Sequence, residues 1–315
     1  MNKTNYKRLA SCDLCGSENS NFDILVSELP SESSTLYKLG INSPYETTMC
    51  KSCGWIFKPG VLTDEQLNVL YEEYGGDASF NKDCEKFNLI RSNELYSWIS
   101  KHANIKECSS LLDVGGGIGQ VSSIFTERGF EVTVLDMAGG ELVNENMKLV
   151  KSTIYQYMPS MHYDLILMNH VLEHVWDPTK LLLHAYGLLS DKGFLYVEVP
   201  FELITPLIKA KLGDPCHVGY FSMRTLKCFL VKCGYEVIKL ERTLGWYNAR
   251  RVMILRGLVK KKECSPAYAT AKMSDSCSNS RRVGRFKIRR EIFNATQIYI
   301  ILKLVFSKIL SKAVK

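Results

Sequence analysis

The chain has 315 residues, 46% of them hydrophobic, and a formal net charge of +7. That is enough apolar material for two or three packed domains, so a chain without a core is excluded. The charge is uneven: from Arg281 to Lys315 ten Lys or Arg face only Glu291, a net of +9, which leaves −2 for the remainder and excludes a broadly basic body.

In chain order, the first signal is a pair of C-x-x-C knuckles, Cys12-Asp13-Leu14-Cys15 and Cys50-Lys51-Ser52-Cys53, each followed by a glycine, Gly16 and Gly54. Four thiolates suit a closed tetrahedral structural zinc site, with Cys12, Cys15, Cys50 and Cys53 as ligands. The knuckles lie further apart than in the shortest zinc modules, a gap that a hairpin or loop insertion can span. The opening MNKTNYKRLAS is polar and basic with no secretory core, so a reducing cytoplasm is expected and metal is favoured over disulfide. A helical link containing Tyr71 and Tyr74 is expected next.

The richest stretch is Leu111 to Asp136, LLDVGGGIGQVSSIFTERGFEVTVLD. Leu111, Leu112 and Val114 read as a strand, Gly115, Gly116, Gly117 and Gly119 as a loop that a ligand can approach closely, and Val121 to Arg128 as a helix closed by Gly129. Glu131 to Leu135 returns as a strand, and Asp136 stands at its end, where a carboxylate can accept the two hydroxyls of a ribose. A dinucleotide loop is spaced G-x-G-x-x-G, and its third glycine would fall at Gln120. The spacing found is G-x-G-x-G, preceded by Asp113.

Downstream, Tyr163 to Met168 reads as a buried strand running through Asn169-His170-Val171-Leu172-Glu173-His174-Val175 into a helix start. Asp177 is a candidate N-cap with Pro178 at the first helical position, and Leu181 to Leu189 supplies an apolar face. Asp191-Lys192-Gly193 turns into a strand over Phe194 to Val199. A helix over Thr225 to Lys232 ends at Gly234, and strands follow over Tyr235 to Leu240 and Val252 to Leu255. The expected fold is α/β, a doubly wound seven-stranded sheet with helices on both faces. Ligands of such sheets sit beyond the carboxyl ends of the strands, where Asp113, Asp136 and Asn169 fall. His-x-x-Glu-His also spells an inverted zinc-protease signature, a reading that needs both histidines on one helix. His174 and Glu173 can equally orient the loop through backbone hydrogen bonds.

The Asp113 loop, the acidic Asp136 and the Val171-Leu172-Glu173-His174 segment together resemble the class I S-adenosylmethionine-dependent methyltransferases. The resemblance implies that Asp113, Gly115, Gly117 and Gly119 meet the methionine end of that cofactor and Asp136 its ribose, with Met137 and Asn169 beside them. With the four cysteines, and with His217-Val218-Gly219-Tyr220-Phe221-Ser222 similar to an H-x-x-x-F-S element, the chain resembles the zinc-containing sugar C-methyltransferase group over roughly residues 10 to 257. The residues after Gly257 are too few for that group's large C-terminal domain, so O-methyl transfer carries at least equal weight. The implied acceptor is a small or sugar-like molecule. An acceptor hydroxyl needs a base at the cleft mouth, and His217, His170 and Tyr220 are the catalytic candidates, with His174 and Glu198 also within reach of that region. A non-catalytic scaffold and a nicotinamide-dependent oxidoreductase are the alternatives.

The expected division is a zinc module and link over 1–75, a cofactor domain over 76–258, and a polar linker with a basic amphipathic helix over 259–315. Ile298, Ile301, Leu302, Val305, Ile309 and Leu310 recur at helical spacing among Lys303, Lys308 and Lys312. That stretch is too short and too often charged to span a bilayer. Residues 285–315 suit either an anionic membrane surface, as a peripheral contact, or docking on the protein's own body or on a second subunit. No aromatic-basic recognition module appears, so nucleic acid is not an expected partner.

Overall fold

A computed structural model describes residues 6–63, 66, 69, 82–203, 216–247 and 250–262. The helical link at Tyr71 and Tyr74 and the C-terminal segment from residue 263 lie outside them. Among the described residues no helix is long and apolar enough to cross a membrane.

The N-terminal part is built on short strands: β1 (Lys7–Arg8), β2 (Phe22–Glu28), β3 (Tyr45–Cys50), β4 (Ile56–Phe57) and β5 (Gly60–Val61), with a one-turn helix α1 (Thr35–Lys38) between β2 and β3. β2 and β3 form the antiparallel hairpin that spans the gap between the two knuckles. Ser34 caps α1 by accepting from the Tyr37 amide at 3.3 Å.

The long helix α2 (Lys82–His102) leads into β6 (Ser110–Val114), α3 (Ser123–Glu127), β7 (Glu131–Leu135), β8 (Lys148–Val150) and β9 (Tyr163–Asn169). Then come α4 (Pro178–Leu188), β10 (Leu189–Pro200), β11 (Gly219–Tyr220), α5 (Met223–Lys232), β12 (Tyr235–Tyr247) and β13 (Arg250–Lys261). The main sheet is seven-stranded in the order β12-β13-β10-β9-β6-β7-β8. β8, β7, β6, β9 and β10 are parallel, while β13 runs antiparallel to both β10 and β12. The chain leaves β6 towards β8 on one side and returns at β9 to build the other, so the switch point lies between β6 and β9.

Strand periodicity sorts the core into two layers. Leu112, Val114, Ile166, Met168, Val197 and Val199 face one cluster with Leu181, Leu226 and Phe229 of α4 and α5. Leu111, Val132, Val134, Leu165, Leu167 and Tyr196 face the other, with Leu95, Trp98 and Ile99 of α2 and Phe125 of α3. Helices therefore cover both faces, as the alternating pattern predicts.

Several boundaries differ from expectation. β12 and β13 run well past Leu240 and Leu255, because a long hairpin lets each satisfy the other's backbone, and β13 passes the boundary expected at 258. The helix start expected within Asn169–Val175 is a 3-10 turn over Leu172–His174, while the helix expected at Pro178 begins there, where the Asp177 side chain accepts from the Lys180 amide at 2.7 Å. Without a helix carrying both histidines, the inverted zinc-protease reading fails. β8 and the long α2 were not anticipated.

The two parts share one core. β11 completes the N-terminal four-stranded sheet, order β11-β4-β3-β2, so a piece of the larger domain is the edge of the smaller one. Trp55, 1% exposed, stacks on Phe57 at 4.4 Å and meets Phe229 edge-on at 4.9 Å. Asp13 accepts from the Thr179 amide of α4 at 2.9 Å, and Lys232 of α5 donates to the Asp13 carbonyl. Truncating Trp55→Ala should therefore destabilise both parts together by about 3–5 kcal/mol, read as a single cooperative urea transition at lower midpoint. Two separate transitions would show that the parts fold independently.

Candidate active site at the carboxyl edge of the sheet

The bend after β6 is shaped by positive backbone φ at Gly115 (+65°), Gly117 (+59°) and Gly119 (+79°). At Gly115 space is also closed, since a Cβ there would stand 2.9 Å from the Val171 side chain. The first carboxylate, Asp113, is fully buried. Ser122 Oγ donates to its Oδ2 at 2.6 Å, while Oδ1 has no hydrogen-bond partner. Burial raises its pKa to about 6, against the opposing pull of the Ser122 bond and the Arg91 charge.

Asp136, one residue past β7, accepts from the Gly117 amide at 2.9 Å and from the Ala138 amide at 2.9 Å. It thus ties the second strand to the bend. Two amides leave part of a carboxylate's four lone-pair positions for a ligand. Met137 beside it is 59% exposed. Asn169 ends β9 across the switch point, and both its Nδ2 and Oδ1 are buried without a partner. Orphaned buried amide atoms are rare in a folded chain, and these stand at the carboxyl end of a central strand. The predicted cofactor residues are therefore gathered along one edge.

His170 follows at φ +54°, the left-handed region that a non-glycine residue enters at a cost of about 1–3 kcal/mol. It is held from three sides. Its amide donates to the Glu198 carbonyl at 2.9 Å, its Nε2 lies 3.2 Å from Glu198 Oε1, and its Nδ1 lies 3.2 Å from Glu173 Oε1. Burial would lower the imidazole pKa, but the two carboxylates outweigh it and raise the value to about 9. Glu198 in turn receives Arg91 at 2.9 Å and the Tyr196 hydroxyl at 2.6 Å. Burial alone would raise its acid, yet Arg91 and His170 bring it down to about 2. At neutral pH His170 is a cation between two anions, so it holds a proton rather than accepting one.

The remaining candidates lie one turn further on. His174 Nδ1 sits 2.8 Å from the Cys216 carbonyl, a backbone contact that orients the ring. His217 Nδ1 sits 2.7 Å from Glu202 Oε2, and the two imidazoles meet edge-on at 4.9 Å. The Val218 amide donates to the Glu173 carbonyl at 2.8 Å, which pins the His217 loop to the turn after β9. Tyr220 is buried in β11 with its ring 5.8 Å from Lys58 Nζ, on the N-terminal sheet.

Arg91 and Glu202 escaped the sequence reading. Arg91 sits on α2, where Asn88 also reaches Gln120 at 2.7 Å and Ser92 reaches the Val121 carbonyl at 2.8 Å. The signal was present in Leu95, Trp98 and Ile99, spaced as the buried stripe of a helix. Nothing in the sequence around Glu202 marks it as a partner of His217.

The four cysteine sulfurs come together at the N-terminus: Cys12 to Cys53 and Cys15 to Cys50 are each 3.6 Å, and all four lie within 4.8 Å. Sulfurs about 2.3 Å from one tetrahedral zinc stand roughly 3.8 Å apart, so the donor set fits that ion. Gly16 and Gly54 have φ of +75° and +80°, and their amides donate to the Cys12 and Cys50 carbonyls at 2.7 and 2.8 Å, closing each knuckle.

Residues 87–240 match the family model described as a methyltransferase domain. The chain is 29% identical over 133 residues to a ubiquinone biosynthesis O-methyltransferase of Rickettsia bellii, covering 38% of this chain and 55% of that protein. It is 32% identical over 117 residues to the protein of the same name from Erwinia tasmaniensis, covering 33% and 48%. The chain thus spans about half the length of the curated relatives it matches. Among solved structures, a Burkholderia thailandensis 1,6-didemethyltoxoflavin-N1-methyltransferase superimposes with TM-score 0.47 at 16% identity, over 66% of this chain and 96% of that one. An Archaeoglobus fulgidus SAM-dependent methyltransferase gives 0.43 at 22% identity, over 56% and 97%. With the sheet order and the glycine bend already in place, the family match identifies residues 87–240 as a class I methyltransferase domain, the type that uses S-adenosylmethionine.

Proposed function

We propose that the cleft at the ends of β6, β7 and β9 binds S-adenosylmethionine and that the chain transfers its methyl group to an oxygen of a small or sugar-like acceptor. The observation that carries this reading is the Asn169 amide, buried with no partner at the end of β9, together with the orphaned Oδ1 of Asp113 on the neighbouring β6. The bound cofactor supplies an electrophilic methyl on a sulfonium. Asp113 and the amides of the bend hold its methionine end, Asp136 accepts from the ribose hydroxyls, and Asn169 and Met137 line the nucleoside. The relatives' name, O-methyltransferase, favours oxygen over carbon as the acceptor.

Holding acceptor and methyl in line supplies much of the acceleration. The chain must also remove the acceptor's proton. His217 is the residue for this, since Glu202 orients its ring through Nδ1 and it lies in the loop pinned to the turn after β9. His170 and Glu198 serve as a fixed ion pair beneath the cleft. The four cysteines hold a structural zinc, which braces the sheet that β11 completes.

Calorimetry with S-adenosylhomocysteine should show one site per chain, with affinity lost in Asp136→Ala. No heat from the intact chain would overturn the cofactor reading. The carboxylate form of Asp113 is the one that pairs with the cofactor's ammonium group, and its folded pKa is about 6. Affinity should therefore hold above pH 6 and fall about tenfold per unit below it, a slope that Asp113→Asn removes. His217→Ala should bind the same ligand normally while slowing transfer on the order of 10²–10⁴-fold. Equal rates for variant and parent would remove His217 from the chemistry.

A further inference from the structure

Among the described residues, polar contacts between the N-terminal part and the rest of the chain fall on three places: the segment after β9, the His217 loop and the end of α5. The Gly60 carbonyl accepts from Trp176 Nε1 at 2.9 Å and from the Tyr45 hydroxyl at 3.0 Å, so β5 and β3 together hold the residue that follows the turn after β9. Three residues further on, the Asp13 carboxylate accepts from the Thr179 amide in the first turn of α4. On the His217 loop, the Lys58 amide donates to the Val218 carbonyl at 2.8 Å, and β11 then pairs with β4, Gly219 opposite Phe57 and Tyr220 opposite Ile56. At the end of α5, Lys232 donates to the Asp13 carbonyl. Among the described residues no hydrogen bond, ion pair or ring contact joins the N-terminal part to the glycine bend, to Asp136 or to Asn169.

Each cysteine knuckle carries one of these anchors. Asp13 lies inside the first knuckle, between Cys12 and Cys15, so the loop that presents two sulfurs also caps the segment after β9. In the second, the Cys50 amide donates to the Trp55 carbonyl at 2.9 Å, and the chain runs from there straight into Ile56 and Phe57 of β4. β4 and β11 have two residues each, too few to hold one another in register unaided. An ion bound by all four sulfurs ties the two knuckles together, and in small modules the free energy of binding such an ion is folding free energy.

We propose that the zinc centre is the positioning element for the acceptor side of the cleft. With the ion bound, the first knuckle holds the segment after β9 and the second holds the His217 loop; with the ion removed, both segments loosen while the cofactor cradle keeps its shape. The proposal rests on the reading of the four cysteines as a zinc site. The stack of Trp55 on Phe57 and its edge contact with Phe229 are apolar and do not need the ion, which keeps the opening local. A misplacement of about 1 Å in a reacting group costs on the order of 10²-fold in rate, so zinc occupancy acts on methyl transfer through the order of the loop, with no contact between ion and acceptor.

The full-length chain is prepared with zinc, and a portion is emptied with a chelator under reducing conditions and checked by metal analysis. Both forms are followed by peptide-resolved hydrogen exchange and by calorimetry with S-adenosylhomocysteine. The expected result is one zinc per chain at the outset. On emptying, exchange in peptides covering residues 172–179 and 216–220 speeds about tenfold or more, while peptides covering 111–119 and 131–136 change by less than about twofold. Affinity for S-adenosylhomocysteine stays within about threefold, and returning zinc restores slow exchange. Cys15→Ser, which removes one ligand at a half-buried position, should shift the same two peptides and spare the other two. Unchanged exchange at 172–179 and 216–220 in the emptied chain overturns the proposal. So does equal acceleration in all four regions, which would make the ion a general stabiliser of the fold. A chain that neither carries zinc nor takes it up overturns the zinc reading and the proposal with it, whereas absence of S-adenosylhomocysteine heat from both forms removes the cofactor reading alone.

Discussion

The structure hangs on a backbone bend that only glycine makes comfortably, caught between two carboxylates. Asp113 lies beneath it in the sheet with one oxygen unanswered, and Asp136 clasps it from the neighbouring strand through the Gly117 amide. This arrangement ties the ends of β6 and β7 together. The sheet order puts Asn169 at the end of the next parallel strand, because the winding of the sheet switches sides between β6 and β9. The placement of these groups is thus set by topology first and by side chains second.

Behind the recess, charge is arranged in a chain. Arg91 on α2 pairs with Glu198 on β10, Glu198 with His170, and His170 with Glu173. Burial of this many ionisable groups is tolerable because each charge stands beside an opposite one. The left-handed conformation of His170 is the local expense of placing an imidazole between the carboxylates of β10 and of the turn after β9. The same turn packs His174 and Glu173 against the His217 loop, which leads into β11 of the N-terminal sheet. The four cysteines and the His217 loop are therefore parts of one packed body, joined through Trp55, Phe229 and β11.

Much of this was legible in the residues alone. The glycine spacing, Asp113 and Asp136 mark out one edge of the sheet, and the doubly wound sheet followed from strands alternating with capped helices. The cysteine knuckles announced their own cluster, since spacing and glycines are local features. What escaped was non-local. The pairing of β11 with β4 joins residues far apart in the chain, and no periodicity in either strand of two residues signals it. The Glu202–His217 contact and the role of Arg91 likewise depend on tertiary placement. β8 is three residues long, too short to show a pattern. The segment Asn169–Val175 reads as a helix start but yields only a 3-10 turn over Leu172–His174, because His170 takes a left-handed φ, and the helix forms where Asp177 and Pro178 mark it.

A structure with S-adenosylhomocysteine bound tests the central claim most directly. The account requires the ligand in the recess, with its ribose hydroxyls on Asp136 and with Asn169 Nδ2 and Oδ1 gaining hydrogen bonds they lack without it. Density for the ligand elsewhere, or an Asn169 amide still without a partner in the complex, would contradict it.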